Sequence, residues 1–516
     1  MPENVLKNIK AHIQPQWKVC FLAALLVGGL AHLYKITNWL PNWDSLVFRW
    51  DPQNMVHMGR WFLPVACGFS SFYDLPLFNG LVAIVFHGLS AVWICRILHV
   101  QKSVTAFLIG AVTVSFPTVT SVMMYNYVAD GYSIAFFLST LAAFYMTAEK
   151  PRYLLAAILI ALSAGIYQAY ITVTIMLVLL GLLDGMIFRG AAFGTVCKKA
   201  GGMLLTGVLG VAVYGAVLKL LLSVMSLELI EYQGASTAAS LSGIDLPASL
   251  YVAKETFRKC FFDLSGGVNV YVVLNGVVCV LTLVYFLRYI IKNKVWRNIP
   301  NLILTAVLSV LLVLGAAALA LVNPRVDYHN LMRMGYCVFY LFFLLLYERG
   351  TEENEKHSLV KCWAVLLVAL ALIANQVVIA NVSYHKAQMA YEKSYGILLR
   401  IADRIEQTPE AEDCDRILVI GSLENSQSYS VNLTPEITGI TDGYILRADD
   451  EIVGQSVLCS ALSDYCEKDY AFVSGEEKQA LMQRAEIAAM GQWPAADCVA
   501  IVENTVIIKL GTEGEP

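Results

Sequence analysis

Eleven stretches of the chain are apolar over nearly the length needed to cross a hydrocarbon layer about 30 Å thick. They lie at about 19–35, 76–96, 104–123, 131–148, 153–168, 169–188, 202–224, 269–290, 301–321, 333–347 and 361–380. The pattern predicts a polytopic all-α membrane protein of about eleven transmembrane helices. The joins are least distinct around SAGIYQAY (163–170) and at the short run 333–347. Near the start, LLVGGLAHLY has no convincing cleavage pattern and many apolar runs follow, so it reads as the first span and not as a signal peptide.

From about residue 385 the pattern changes. RILVIG (416–421) and NTVIIKLG (504–511) read as strands, and EEKQALMQRAEIAAM (476–490) has the apolar spacing of a helix. The expected organisation is a membrane domain over 1–384 and a small α/β or α+β domain over 385–516. RILVIGS opens like a nucleotide-binding fold, but no GxGxxG glycines follow, which favours a buried strand ending in a turn.

Composition agrees with a membrane setting: 58% hydrophobic and only 15% charged, against about 25% charged in soluble domains. Residues 1–384 carry 26 basic and 17 acidic side chains, whereas 385–516 carry 10 and 23. Lys7, Lys10 and Lys18 precede the first span. Arg96 with Lys102, Lys150 with Arg152, Arg189 with Lys198 and Lys199, and Arg288 with Lys292, Lys294 and Arg297 occupy the even-numbered connections. The positive-inside rule puts these in the cytoplasm of a cell whose plasma membrane the chain crosses many times. The N-terminus is then cytoplasmic and the C-terminal domain extracytoplasmic. The acidic connection RGTEENEKHSLV (349–360) runs weakly against this, but acidic residues contribute little to topology.

Of twelve cysteines, eight lie in or beside the apolar portion as small buried fillers. Cys414, Cys459, Cys466 and Cys498 lie in the tail, where an oxidising compartment permits one or two disulfides. No CxxC or zinc-type Cys/His cluster occurs, so no tightly bound metal or cofactor is expected.

The first connection, NWLPNWDSLVFRWDPQNMVHMGRW (38–61), holds two aspartates, two arginines and four tryptophans. The tryptophans suit the headgroup level. Asp44 and Asp51, seven residues apart, suit one face of a short interfacial helix, with Pro52 admitting a break after Asp51. A solvated loop is the bland alternative; the functional one is a general base that takes the proton of an attacking hydroxyl. Asp44, nearer the first span, is the first choice.

Arg49, Arg60, Lys254, Arg258, Arg325 and Arg333 supply the complementary charge, since a guanidinium fork matches phosphate oxygens. Each alone could equally serve lipid headgroups or solvent. Asp130 at the end of YNYVAD, Tyr167, Gln168 and Tyr170 in GIYQAY, and Asp327 and Tyr328 in NPRVDYHNLMR are candidates for contacting a sugar or acceptor. Asp130 would otherwise cap the following helix, and the GIYQAY group would otherwise join helices. LPASLYVAKETFRKCF (246–261) has the amphipathic cast of an interfacial helix.

NWDSL (42–46), MGRWFLP (58–64), SAGIYQAY and NPR (323–325) together resemble the GtrII-type membrane glucosyltransferases, polytopic enzymes of the C-type glycosyltransferase fold; the resemblance spans roughly residues 15–380. It implies transfer of a sugar, often glucose, from a polyprenyl-phosphate carrier to a surface glycan such as O-antigen, or to a lipid-linked acceptor, at the external leaflet. It also implies a catalytic acid residue in the first external loop. That role falls on Asp44, whose neighbour is Ser45 where many relatives have a second acid; Asp51 is the other carboxylate nearby.

The expected chemistry is a single displacement with inversion, the basic cluster holding the donor phosphate. Membrane lipids are expected partners and nucleic acid is not; a weakly held divalent ion near Asp44 and the phosphate is compatible with it. A lipid-linked sugar flippase or other transporter is the rival class, and an extracellular scaffold a third. Transporters concentrate ionisable groups at mid-membrane, whereas here the spans contain few charges; His87 and Asp184 stand out, Asp184 near an inner end.

Overall fold

The structure, a computed structural model, describes residues 13–48, 55–230, 245–264, 267–350, 356–423, 437 and 454–511. Two compact units divide the chain. One comprises Met1–Asn38, Asp51–Val382 and Asn432–Thr438, the other Trp39–Trp50, Ser383–Val431 and Gly439–Pro516.

Among the described residues, seven helices are long and apolar enough to cross a membrane: Pro15–Thr37, Pro76–Ile97, Asn126–Thr147, Gln168–Ile187, Phe193–Val224, Val270–Lys292 and the stretch Cys362–Gln407. Ser103–Ser115 and Pro117–Met124 make an eighth if counted as one span bent by 42°. The bend has a local cause: Phe116 is extended (ψ 135°), as residues before proline tend to be, and Pro117 has no N–H for the helical ladder. Three of the eleven expected spans form shorter helices, Tyr153–Ile166 of 14 residues, Ile299–Gly315 of 17 and Cys337–Gly350 of 14. Apolar runs count side chains and do not register such interruptions.

Proline in the first turn starts several of these helices, at Pro15, Pro76 and Pro117, where the missing N–H costs nothing. Close packing follows from small residues. A methyl group on Gly110 would strike the Cys20 carbonyl, and one on Gly28 would press on Ile84 and Val114.

Asp184, fully buried, is held by Arg349 through both oxygens (2.9 and 3.2 Å) and by Arg189 at 2.9 Å. Arg349 Nη2 also donates to the Leu98 carbonyl at 2.8 Å. Glu348 accepts from the Gln101 and Lys102 backbone N–H groups (2.8 and 3.2 Å) and from Thr105, satisfying the start of the helix Ser103–Ser115. These contacts give Asp184 a structural role.

In the second unit a four-stranded sheet has the order β2-β1-β4-β3, with β1 Arg416–Ile420, β2 Ala471–Phe472, β3 Val499–Val502 and β4 Thr505–Lys509. β1 runs parallel to β2 and β4, and β3 antiparallel to β4. Alternation along the strands feeds two cores. Ile417, Val419, Val506 and Ile508 pack with Leu398, Ile401 and Leu458, while Leu418, Ile420 and Ile507 pack with Leu481 and Ile487. The single helix expected over 476–490 is two, Gly475–Met482 and Ala485–Ala489, because Arg484 turns extended (ψ 135°) between them. Cys414, Cys459, Cys466 and Cys498 are free thiols.

The helix Lys356–Gln407 runs unbroken for 52 residues, those up to Val382 belonging to the first unit and the remainder to the second.

Removing one cation from a buried carboxylate leaves charge uncompensated. Arg349→Ala is therefore expected to destabilise the protein by about 3 kcal/mol, read as a lower unfolding midpoint in detergent, with Arg349→Lys recovering only part because it lacks the two-pronged fork.

Candidate functional site

SAGIYQAY forms a break between two helices. Tyr153–Ile166 ends at Ile166, Tyr167 is extended (φ −156°, ψ 116°), a single 3-10 turn covers Gln168–Tyr170, and a new helix begins at Ile171. Such a break frees backbone groups that must find partners within the protein. The Gly165 carbonyl accepts from the Phe62 N–H at 2.7 Å, and Ser139 Oγ donates to the Tyr170 carbonyl at 2.9 Å.

The partner of this break is the turn at 55–62. Arg60 N–H returns to the Met55 carbonyl at 3.0 Å, and Gly59 at the apex has φ +78°, a conformation side chains resist. Gln168 Nε2 donates to the Met58 carbonyl (3.3 Å) and to Tyr214 Oη (3.0 Å), and Tyr214 Oη donates to the Gly59 carbonyl (3.1 Å). A methyl on Gly59 would lie 2.7 Å from Gln168 Nε2, and one on Gly165 would lie 2.7 Å from the Trp61 ring. MGRW and SAGIYQAY, far apart in sequence, are thus two halves of one interlocked structure.

Arg60, half-buried, is presented by that turn. Its guanidinium lies 5.0 Å from the centre of the Tyr167 ring, which stacks on Tyr132 at 4.6 Å with the planes 10° apart. Tyr170 meets Tyr167 edge-on at 6.0 Å. Tyr167 and Tyr170 are buried, so they support Arg60 and do not offer the open sugar-binding face expected of them, and Gln168 is committed to the turn. Tyr132 and Tyr214 were not marked out by sequence, because aromatic residues at helix ends are common in membrane proteins.

The segment 323–336 brings a second arginine. Tyr328 Oη donates to the Asn323 carbonyl at 3.0 Å, and Arg333 Nε to the Tyr328 carbonyl at 2.8 Å. Arg333 is buried and lines a small cavity with Tyr328, Tyr336, Thr172 and Thr256. Thr256 comes from the amphipathic helix Leu246–Phe261, capped by Asp245. His329 feels the charges of Asp327, Arg333 and Arg60. Burial pushes the His329 imidazole down to about 4; Asp327 opposes this and the two arginines add to it.

The other basic candidates differ. Arg258 is paired with Glu255 at 2.8 Å and lies 3.7 Å from Asp263, while Lys254 and Arg325 are exposed. Asp327 is exposed and lies 3.9 Å from Lys259. Asp130, fully buried inside the first turn of the helix Ala129–Thr147, accepts from the Gly131 N–H at 2.9 Å and faces the Cys67 thiol. It is neither the cap residue of that helix nor open to an acceptor. A further polar network went unmarked: Asn126 Nδ2 donates to Asp74, Asn79 Nδ2 donates to the Asn126 carbonyl at 2.9 Å, and buried Lys35 feels the Asp74 charge.

Asp44 belongs to the second unit, half-buried on the five-residue helix Trp43–Val47. That helix ends at Val47, with Phe48 as its C-cap. Arg49 and Asp51 lie outside the described residues. Among the described residues, no three His, Cys, Asp or Glu side chains gather as metal ligands.

Two outcomes follow from the interlock and from His329. Gly59→Ala is expected to cost about 1–3 kcal/mol, while Gly29→Ala, with open space at its Cβ position, serves as the mild control in the same thermal melts. The folded-state value of His329 lies below the ordinary 6.5, so the unfolded chain binds the extra proton. Its contribution to stability is complete above about pH 6.5 and is lost as pH falls towards 4; His329→Asn should flatten that part of a melting-temperature profile.

No curated protein and no solved structure matches the chain. The family profile described as Glucosyl transferase GtrII matches residues 33–346, well over half of the sequence. That span holds the turn at 55–62, the break at 163–170 and the segment 323–336. The chain is a multi-pass helical protein that belongs to the GtrII glucosyl transferase family.

Proposed function

We propose that the protein transfers a sugar, expected to be glucose, from a polyprenyl-phosphate carrier to a surface glycan or glycolipid at the external face of the plasma membrane. The family supports glycosyl transfer. The observation that carries the donor side of this reading is the presentation of Arg60 by the interlocked turn, with Arg333 lining the cavity of the segment 323–336.

In this reading Arg60 and Arg333 hold the phosphate that leaves with the lipid, and their charge stabilises it as the bond to the anomeric carbon breaks. Asp44 accepts the proton of the acceptor hydroxyl as that oxygen attacks the anomeric carbon from the opposite side. One bond forms as one breaks, and the configuration inverts. Neutral His329 beside the two arginines adds no positive charge to be desolvated. The cavity bordered by the helix Leu246–Phe261 suits the region near the lipid end of the donor.

Purified protein given radiolabelled polyprenyl-phosphate glucose and a panel of surface-glycan acceptors should form labelled product. Asp44→Asn is expected to lower turnover by about 10²–10⁴-fold, and Arg60→Ala to weaken donor use. With a verified donor and a broad panel, absence of transfer by the unaltered protein would overturn the reading and bring lipid-linked sugar transport forward.

A further inference from the structure

Among its described residues the C-terminal unit gathers no three His, Cys, Asp or Glu side chains as metal ligands, yet it contains the segment bearing Asp44. A five-residue helix is too short to hold its own shape in water. Trp43–Val47 is organised from both sides. Asn42 Oδ1 accepts from the Ser45 N–H (2.8 Å) and from Ser45 Oγ (2.9 Å), and the Phe48 N–H returns to the Asp44 carbonyl at 2.8 Å.

The stronger hold is apolar. Leu46 is 3% exposed and sits in the same core as Leu398, Ile401, Ile405, Leu458 and Leu462. Trp39 packs against that core and meets Tyr391 edge-on at 5.9 Å. The chain is therefore anchored on both sides of Asp44, five residues before it and two after it, by side chains drawn from the region beyond residue 383.

Resting on the catalytic reading of Asp44, we propose that the C-terminal unit is the holder of the catalytic carboxylate, with Leu46 and Trp39 as the positioning residues that dock the acidic loop into its core. The tail then acts in the reaction without touching substrate. Its contribution is to the rate of the chemical step, since a small misplacement of a catalytic group costs rate steeply. Donor affinity, assigned to Arg60 and Arg333 in the other unit, is independent of it.

The test uses the full chain in detergent with polyprenyl-phosphate glucose. Leu46→Ser is expected to lower kcat by about tenfold or more while KM for the donor stays within about twofold, and Leu46→Met to restore kcat. Unchanged kcat in Leu46→Ser overturns the proposal, as does a loss of activity that Leu46→Met shares and that only tracks the amount of folded protein. Should Leu46→Ser fail to fold, hydrogen exchange on the unaltered protein decides. Amides of 45–48 exchanging as slowly as those of 398–405 support docking, and exchange at open-loop rates overturns it. Asp44→Asn is run alongside: if it keeps full turnover, the catalytic reading fails even where exchange still shows the docked loop, so the two failures are told apart.

Discussion

Within a hydrocarbon layer, water does not repair a broken helix, and that constraint governs the membrane portion of this protein. A backbone that leaves helical geometry must find donors and acceptors inside the molecule. The break at Tyr167–Tyr170 does so by taking the turn at 55–62 as its partner, with Phe62 on Gly165, Gln168 on Met58, and Tyr214 on Gly59. A structural need and a chemical opportunity coincide there, because the same turn holds Arg60 above Tyr167.

The residues in this region divide into those that face outward chemically and those that hold them. Arg60 and Arg333 carry charge, whereas Tyr132, Tyr167 and Trp61 fill the space that fixes the turn. The buried Asp130 and the Asp184 pair with Arg189 and Arg349 belong to the second group, as contacts that keep helix ends in place. This division explains why charge inside a span is a poor guide to function here: Asp184 is matched locally by two arginines.

Much of this was legible in the sequence. The apolar runs mark where helices lie, because burying or lipid-exposing a span requires them. MGRW and SAGIYQAY stand out as polar and glycine-bearing text at the ends of apolar runs. What sequence does not carry is which interruption meets which. No periodicity links residue 59 to residue 214, and a 14-residue helix such as Tyr153–Ile166 is indistinguishable by composition from half of a longer one. The family profile recovers the membership that the four short motifs suggested. The place of the segment bearing Asp44 in the second unit rests on Leu46 and Trp39, whose partners lie more than 350 positions away.

The interlock also sets a schedule for making the protein. When the turn at 55–62 leaves the ribosome, its hydrogen-bonding partners at residues 165, 168 and 214 do not yet exist. Gly59, with its left-handed backbone, must wait in an unsatisfied state through the synthesis of more than 150 residues, until the helix Phe193–Val224 has been inserted and Tyr214 can close on it. Arg333 arrives later still. A chain halted before that helix lacks the closure of Tyr214 on the Gly59 carbonyl, so a truncated product would be a natural target for the membrane's quality-control proteases.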